Sequence, residues 1–351
     1  MLGAFKEVLS GTLAAERVDL MAVVYMNVNG SYGGGGPTVW AARMRDELVK
    51  SGHRVVFDNP AAAQVALCII ESGKVLGSVN RSQTRVIVRL DGAYYKEYWH
   101  SQTPDRQWRP DMTSLHSAIV RDVANVDCMV YQSEFSKRQI DAEIAERKQG
   151  FAIIHNGVDL ELFRPTMRGA TDYLKLGHIG MMRNGYLMNT LIAVHQLLKR
   201  QGIKSRLLLS GSMDLECKQI YEAGASDSDI VYCGQISNTA LPSRYGELDI
   251  FLAPRMGSSC DNVVVEAQAC GIPVVVPSWG GNIELVKDRQ TGIIVQTGHW
   301  TYDQQYVEGM AEAVVEISKD LPGYKQRARQ HAVQELSLTK MVDRYLEAMK
   351  Q

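Results

Sequence analysis

Two charged residues near each other in the first half of the sequence suit a ligand that is rich in hydroxyl groups. Arg89 and Asp91 directly follow the apolar run Val86–Val88, and Tyr94 and Tyr95 come next. A carboxylate accepts hydrogen bonds from hydroxyls, and aromatic rings can cover the C–H surfaces of such a ligand. The alternative is an ion pair between Arg89 and Asp91 that only fixes the loop, and we favour the ligand-binding interpretation.

A glycine-rich turn, Gly33–Gly36, is a second candidate site. It lies between the predicted first strand and its helix, and such a turn lets backbone N–H groups approach a phosphate at a helix N-terminus. The spacing fits neither the G-x-G-x-x-G fingerprint nor a P-loop, because no Lys-Ser/Thr pair follows. We expect Gly34, Gly35 and Gly36 to contact a phosphate-bearing ligand, and a flexible turn without a ligand stays open as the alternative.

The most informative segment runs from Ser258 to Val276. Asp261 or Asn262 is a suitable N-cap, and a glycine and a proline end the predicted helix before the next strand. The exposed N–H groups and the macrodipole at such a helix start favour a diphosphate. Glu266 lies in this helix, where its carboxylate is either a bidentate partner for ribose hydroxyls or an ordinary polar residue near a helix start.

These segments follow predicted strands in a chain that alternates strand and helix in two successive series. The first series runs from residue 19 to a turn at 153–159, and the second runs from residue 174 to 297. Parallel strands need crossover helices, so the pattern predicts an α/β fold with two doubly wound, Rossmann-like parallel sheets. Ligands bind outside the carboxyl ends of such strands. We therefore expect the candidate residues to face a cleft between two domains.

The chain is divided by its linker, which we predict at residues 162–173. We assign residues 1–165 to an N-terminal domain, 166–335 to a second domain and 336–351 to a terminal helix. A further short amphipathic helix is predicted at residues 3–14. The terminal helix has apolar positions spaced by three and four along one face, which needs a partner surface. These positions are Leu338, Met341, Val342, Tyr345, Leu346 and Met349.

Composition narrows the class of protein. The 351 residues carry a net charge of −1, and charges of both signs alternate along the chain, so we expect no nucleic-acid partner. The six cysteines are scattered without a C-x-x-C pair, which is typical of reduced, buried cysteines in a cytoplasmic protein. No stretch has the length of a membrane span, and the N-terminus lacks the pattern of a signal peptide. We therefore expect a cytoplasmic protein.

The segment Ser258–Val276 also resembles a family signature. In family 4 of the nucleotide-sugar glycosyltransferases, which have the GT-B fold, a Glu, seven residues and a second Glu precede Ala-x-Ala-Cys-Gly-x-Pro-Val-Val. This chain has S-S-C-D-N-V-V-V-E-A-Q-A-C-G-I-P-V-V at the corresponding place. The resemblance covers residues 22–295. Further segments that match the family in order are 33–36, 130–137, 153–165, 231–236, 241–254 and 280–295. The pairing of RLDGAYY with VYQSEFSK resembles a bacterial and phage-associated subgroup in which Arg-x-Asp-Gly replaces the usual cleft histidine.

The resemblance implies a glycosyltransferase that retains the anomeric configuration and needs neither a metal nor another cofactor. Its donor would be a nucleotide sugar and its acceptor a glycan or glycolipid, and peripheral contact with the inner face of the membrane stays open. The terminal helix would cross back to the N-terminal domain. The residues implied to bind the donor are Gly34, Gly35, Gly36, Gln235, Ile236, Ser258, Ser259, Asp261, Asn262, Val263 and Glu266. Those implied in catalysis are Arg89, Asp91, Arg183 and Glu266.

The sequence departs from the family pattern at positions that bind the donor. The family's first glutamate falls on Ser258, and the Arg and Lys that neutralise the diphosphate fall near Met181 and Tyr186. Arg183 is the nearby cation that could take over part of that charge. Two alternatives therefore stay open: a catalytically weakened relative that binds nucleotide or glycan within a complex, and an epimerase or phosphorylase on the same architecture. A phosphorylase would need a cofactor lysine, for which the second domain shows no matching motif.

Overall fold

The chain folds into two six-stranded β-sheets whose strands are connected by helices. The computed structural model describes residues 21–31, 35–96, 108–167, 169, 171–224, 227–298 and 302–350. Every pair of neighbouring strands within these residues is parallel. The predicted α/β fold with two doubly wound parallel sheets is therefore confirmed.

The N-terminal domain holds the first sheet. Its strands are β1 (Val23–Met26), β2 (Arg54–Val56), β3 (Val65–Ile69), β4 (Arg85–Arg89), β5 (Cys128–Tyr131) and β6 (Phe151–Ile153). Its helices are α1 (Gly36–Lys50), α2 (Val75–Ser78), α3 (Pro110–Asn125) and α4 (Glu134–Glu143), with a short 3₁₀ helix at Pro60–Ala62. The strand order is β2-β1-β3-β4-β5-β6. The direction of winding therefore reverses between β1 and β3.

The second domain repeats this arrangement. Its strands are β7 (Leu174–Ile179), β8 (Ser205–Ser210), β9 (Ile230–Tyr232), β10 (Ile250–Leu252), β11 (Val274–Pro277) and β12 (Gly292–Val295). Its helices are α5 (Gly185–Arg200), α6 (Leu215–Gly224), α7 (Leu241–Gly246), α8 (Asn262–Ala269), α9 (Gln304–Lys319) and α10 (Leu321–Glu335), with a 3₁₀ helix at Gly281–Leu285. The strand order is β12-β11-β10-β7-β8-β9, so the winding reverses between β10 and β7.

Continuous apolar runs form the strands that are buried on both faces of the sheet. β3 reads Val-Ala-Leu-Cys-Ile and β11 reads Val-Val-Val-Pro, and both are buried at every position. A parallel strand that is covered on both faces must be apolar throughout, because neither face meets water. No helix in the described part of the chain combines the length and the apolar character needed to cross a membrane.

The last helix, α11 (Leu338–Lys350), packs against the N-terminal domain. The indole Nε1 of Trp40 in α1 donates to Met341 Sδ at 3.2 Å, and the rings of Trp40 and Tyr345 have centroids 5.1 Å apart. The apolar stripe of α11 thus finds its partner surface in the first domain. The chain passes between the domains at the linker and again just before α11. The helix predicted at residues 3–14 lies outside the described residues.

Candidate active site

Loops that follow strands of the two sheets meet at the domain interface. Gly92, after β4, has a φ of +114°, and a Cβ added to it would lie 2.7 Å from Ser259 Oγ. At the start of α1, a Cβ on Gly36 would lie 3.8 Å from Asn262 Nδ2. The loop after β4 and the glycine turn before α1, both predicted as ligand sites, therefore contact the start of α8.

The glycine turn before α1 is described only in part. Gly35 occupies the N-cap position of α1, and its carbonyl accepts a hydrogen bond from Thr38 Oγ1 at 2.8 Å. The predicted site residue Gly34 lies outside the described residues. Of the three predicted phosphate-binding glycines, Gly36 is the one that the structure sets beside α8.

Arg89, the last residue of β4, is a buried support at the centre of the interface. Only 1% of its surface is exposed, and its guanidinium carbon lies 4.2 Å from the centroid of the Trp40 ring. Nη1 forms an ion pair with Asp91 Oδ1, and Nη2 donates to Asn156 Oδ1 at 3.0 Å. The ion pair that the sequence raised as an alternative is therefore present, and it fixes the Asp91 carboxylate.

One carboxylate oxygen of Asp91 has no donor among the residues that the structure describes. Its Oδ1 also accepts a hydrogen bond from Gln132 Nε2 at 3.1 Å. Its Oδ2 is buried and has no hydrogen-bond partner among the described residues. A buried carboxylate oxygen without a donor costs free energy, and a ligand hydroxyl could reach it only if a neighbouring group moved. The ion pair and the ligand-binding interpretation are thus compatible.

Asn156 connects this cluster to the second domain. Its Nδ2 donates to Gln132 Oε1 at 2.9 Å and to the Cys260 carbonyl at 2.8 Å. Its backbone N–H donates to Cys260 Sγ at 3.3 Å. Residues after β4, β5 and β6 are therefore fixed relative to the start of α8. The sequence analysis missed Gln132, for which the available signal was its place directly after β5.

The start of α8 differs from the prediction in how it is capped. Asp261 occupies the N-cap position but makes no side-chain capping bond. Its Oδ2 accepts instead from Asn282 Nδ2 at 2.9 Å, and its backbone N–H donates to Asn282 Oδ1 at 2.9 Å. The first N–H groups of a helix lack intrahelical partners. Because Asn282 holds the Asp261 carboxylate, the first N–H groups of α8, at Asn262 and Val263, stay suited to an anionic ligand.

Ser258 stands where the family resemblance places the first glutamate. It is 1% exposed, and its Oγ has no hydrogen-bond partner in the described part of the chain. Its carbonyl accepts from the Gly281 N–H at 2.6 Å. The hydroxyl is enclosed by protein, whereas the half-buried Ser259 lies at the surface that contacts Gly92.

Glu266 is buried between the domains, and protein groups hold both its carboxylate oxygens. Arg43 Nη2 in α1 lies 2.8 Å from Oε1, and the Tyr245 hydroxyl donates to Oε2 at 3.1 Å. Burial raises the pKa of Glu266, although Arg43 and Tyr245 favour its ionised form. Ribose hydroxyls can reach this carboxylate only if one of these partners moves, so the ribose contact stays a prediction.

Arg43 was missed in the sequence, although a signal for it exists. It shares one face of α1 with Gly36 and Trp40, because spacings of four and three residues place side chains on the same side of a helix. Arg43 is 6% exposed. A charged residue in line with the glycine turn was therefore the available indication that this face meets the second domain.

Two arginines follow the strands at which the second sheet reverses its winding. Arg183 comes after β7 and Arg255 after β10, and both are exposed. Burial lowers the pKa of His178 in β7, and the charge of Arg255 contributes to that shift. Arg183 is a residue predicted from the sequence, whereas Arg255 was not predicted. Positively charged side chains thus lie at this sheet edge. Among the described residues, no group of three or more His, Cys, Asp or Glu is arranged to hold a metal ion.

The predicted base-contacting residues lie apart from the start of α8. Gln235 and Ile236 follow β9, which is the edge strand. The start of α8 follows β10, and three strand spacings, about 14 Å, separate β9 from β10. Gln235 is exposed and Ile236 is half-buried. A nucleotide would have to extend along the carboxyl edge of the sheet to reach both regions.

Glu284 is a further contact between the domains that the sequence analysis did not identify. Its carboxylate accepts the backbone N–H groups of Glu134 and Phe135, each at 2.9 Å, at the start of α4. His155 Nε2 lies 3.0 Å from the same carboxylate. Burial alone would raise the pKa of Glu284, but these hydrogen bonds outweigh it and lower the pKa. A carboxylate of one domain thus stabilises a helix start of the other.

Comparison with known proteins finds a family match within the second domain. Residues 174–320 match the family model described as Glycosyl transferases group 1. The D-inositol 3-phosphate glycosyltransferase of Actinosynnema mirum is 30% identical over 200 residues, which are 52% of this chain and 48% of that protein. The capsular polysaccharide biosynthesis glycosyltransferase CapM of Staphylococcus aureus is 26% identical over 144 residues, 39% of this chain and 36% of that protein. The chain thus spans less than half the length of these relatives.

A solved structure extends the likeness to both domains. HepE from Anabaena, crystallised in complex with UDP and glucose, superposes with a TM-score of 0.71 at 14% identity, covering 94% of this chain and 100% of that chain. At this identity the likeness concerns the fold. The two domains together therefore form a GT-B fold, and residues 174–320 are similar to glycosyl transferases group 1.

Proposed function

We propose that this chain is a retaining, metal-independent glycosyltransferase that moves a sugar from a nucleotide-sugar donor to a glycan or lipid-linked glycan. One observation carries the proposal: Asp91, whose Oδ2 has no donor in the described part of the chain, lies on the interface that also contains the start of α8. The names of the curated relatives support sugar transfer. The UDP and glucose in the HepE complex support a nucleotide-sugar donor, and the name of CapM supports a glycan acceptor.

The donor half of the reaction would rely on charges that the chain itself supplies. As the bond to the diphosphate breaks, negative charge develops on the leaving group. The start of α8 would stabilise this charge through its N–H groups and macrodipole. Arg183 would add positive charge at the same sheet edge. This supply of positive charge supports transfer without a divalent cation.

The sugar half of the reaction would take place beside Asp91. Its Oδ2 would accept a hydrogen bond from a sugar hydroxyl and so orient that sugar. Arg89 and Gln132 hold Oδ1, which suits a hydrogen-bond acceptor better than a group that must swing to form a covalent bond. With an oxocarbenium-like transition state, the proposed route is attack from the face of the leaving group, which retains the anomeric configuration.

A second candidate function is nucleotide or glycan binding with weakened catalysis. The observation that favours it is the closed environment of Glu266, whose oxygens are held by Arg43 and Tyr245. The enclosed Ser258, in place of a family glutamate, points in the same direction. Such a protein would bind its ligands across the same interface without efficient transfer.

Incubation with radiolabelled UDP-, GDP-, ADP- and dTDP-sugars separates these functions. With EDTA present, the proposal predicts that at least one donor is hydrolysed slowly and transferred faster when a glycan is added. Proton NMR of the product should show the anomeric configuration of the donor. Turnover that stops with EDTA and returns with Mg²⁺ would contradict metal independence. Tight nucleotide binding without turnover of any donor would favour the second candidate.

A further inference from the structure

The terminal helix α11 is fixed to the N-terminal domain at both of its ends. Near its first turn, Met341 Sδ accepts the backbone N–H of Gly157 at 3.1 Å. Near its last turn, the carbonyl of Ala348 accepts Nε of Arg85, the first residue of β4, at 3.1 Å. Tyr345 lies between these two anchors, so the helix holds its side chain in a fixed position.

Tyr345 of α11 and Trp40 of α1 form an aromatic pair beside Arg89. The two residues are 0% and 2% exposed, and their ring centroids lie 5.1 Å apart. The guanidinium carbon of Arg89 lies 4.2 Å from the centroid of the Trp40 ring, which is a distance at which the ring attracts a cation. A residue of the last helix therefore packs against the ring that carries the Arg89 guanidinium.

The hydroxyl of Tyr345 also lies close to the ion pair of Arg89 and Asp91. Burial raises the pKa of this hydroxyl, the positive charge of Arg89 opposes that rise, and the negative charge of Asp91 adds to it. No group among the described residues forms a hydrogen bond of ordinary geometry with the hydroxyl. Its interaction with the ion pair is therefore electrostatic, and burial strengthens such interactions.

The orientation of the Arg89 guanidinium affects both halves of the proposed site. Nη1 pairs with Asp91, and Nη2 donates to Asn156 Oδ1 at 3.0 Å. Asn156 in turn donates to the carbonyl of Cys260, just before α8, at 2.8 Å. Because a guanidinium is planar and its N–H groups have fixed directions, a tilt of Arg89 would disturb both connections at once.

We infer that Tyr345 is a positioning residue for sugar transfer: together with Trp40 it holds the Arg89 guanidinium in the orientation that places Asp91. The terminal helix then contributes to the reaction without touching a substrate. A tyrosine that only filled the core would affect stability and leave the chemical step unchanged. This inference rests on the proposed function, because the role of Asp91 belongs to that proposal.

Tyr345→Phe in the full chain tests the inference, because it removes a single hydroxyl and keeps the ring. The donor is the UDP-, GDP-, ADP- or dTDP-sugar that the native protein turns over fastest. We expect kcat to fall about tenfold, since a small misplacement of a positioned group slows transfer, and KM for the donor to change less than about twofold. The midpoint of thermal unfolding should not fall, because the hydroxyl forms no ordinary hydrogen bond.

Tyr131→Phe is the matched control. Tyr131 is also fully buried in the N-terminal domain, its hydroxyl likewise has no hydrogen-bond partner among the described residues, and its ring packs against Phe151. This variant should keep the native kcat. Equal kcat values for the two variants overturn the inference. A loss of kcat in Tyr345→Phe that comes with a lower unfolding midpoint assigns the effect to stability and overturns it as well.

NMR of the protein with isotope-labelled arginine gives a readout that does not depend on turnover. The Nε–H signal of Arg89 is identified by its absence from the spectrum of Arg89→Lys. We expect hydrogen exchange at this group to be about tenfold faster in Tyr345→Phe than in the native protein, because the guanidinium is held less firmly, and unchanged in Tyr131→Phe. Equal exchange rates in the native protein and Tyr345→Phe overturn the inference.

Turnover by the native protein distinguishes this inference from the proposed function. If the native protein transfers sugar and Tyr345→Phe keeps its kcat, the positioning role fails and the proposed function stands. If the native protein turns over none of the nucleotide sugars, the proposed function fails. The role of Tyr345 in transfer is then overturned with it, whatever the exchange rate at Arg89.

Discussion

Nη2 of Arg43 in α1 lies 2.8 Å from Oε1 of Glu266 in α8, so a buried ion pair joins the two domains. The side chains are 7% and 4% exposed. Desolvation offsets much of the attraction in such a pair, but removal of one partner leaves an uncompensated buried charge. The contact therefore makes the relative position of the domains depend on the residue that the family resemblance assigns to ribose.

Substitution of Arg43 tests this link through stability. Arg43→Met should lower the free energy of unfolding by about 3–5 kcal/mol, because Glu266 loses its charge partner while staying buried. The double variant Arg43→Met, Glu266→Met should recover part of that loss. Urea denaturation measures both. If the loss of unfolding free energy in the double variant equals the sum of the losses in Arg43→Met and Glu266→Met, the two residues are not coupled. The account of this contact is then wrong.

Substitution of Glu266 tests the predicted ribose contact. Glu266→Gln keeps the shape but weakens charge-assisted bonds of about 1.5–3 kcal/mol each. The affinity for the nucleoside diphosphate that binds best among UDP, GDP and ADP should fall about tenfold or more in calorimetry. Glu222→Gln, an exposed residue of α6, serves as the control. Unchanged affinity in a folded Glu266→Gln protein would assign this carboxylate to the ion pair alone.

Gly92 should tolerate no side chain, because two causes act together. Its φ of +114° is unfavourable for other residues, and a Cβ would meet Ser259 Oγ at 2.7 Å. Gly92→Ala should therefore separate the domains and lower transfer about tenfold or more. Gly52→Ala is a matched control, since Gly52 has a φ of +88° with nothing within 4 Å of an added Cβ.

A second substitution separates the contact from the backbone strain. Ser259→Gly removes the hydroxyl that a Cβ at position 92 would meet, so the double variant should recover part of the lost activity. Equal activities of Gly92→Ala and Gly52→Ala would show that close approach of the domains at this point is unimportant.

Glu284 should make stability depend on acid pH. Hydrogen bonds lower its pKa below the ordinary value of 4.5, so the folded protein holds this proton less tightly than the unfolded chain. The contribution is complete above the unfolded pKa and is lost as the pH falls through the folded-state pKa. Glu284→Gln should cost about 1–3 kcal/mol at pH 7, and the difference from the native protein should shrink below pH 4.5.

Unfolding free energies between pH 7 and pH 3.5 measure this effect. Glu347→Gln, an exposed residue of α11, is the control and should behave like the native protein at each pH. A difference between native protein and Glu284→Gln that stays constant over this range would contradict the role given to the carboxylate.

The fold could be predicted because its signals are local. The buried runs of β3 and β11 are apolar at every position, and helical segments lie between successive strands, which parallel pairing requires. The confirmed α/β prediction rests on this alternation. Gly92 and Ser259 each lie in a loop after a strand, as predicted, and the two loops meet across the domain interface.

The contacts between the domains could not be predicted in the same way. Arg43 and Glu266 are 223 positions apart, and the place of Arg43 on the face of α1 that carries Gly36 and Trp40 does not identify its partner. Asp261 has a residue type that is common at the N-cap, yet its side chain accepts a hydrogen bond from Asn282 instead of capping the helix. Competition of this kind between a local cap and a distant partner depends on tertiary packing, which residue type and spacing do not encode.

Donor turnover by the native protein and by Asp91→Asn, side by side and with EDTA present, tests the central claim most directly. Loss of the charged acceptor at Oδ2 should slow transfer about 100-fold or more. Asn keeps the shape of the side chain, and affinity for the nucleoside diphosphate should change less than about threefold, because α8 and its neighbouring strands would hold that part of the donor. Equal transfer rates for the two proteins, or a native protein that turns over none of the nucleotide sugars, would contradict the account.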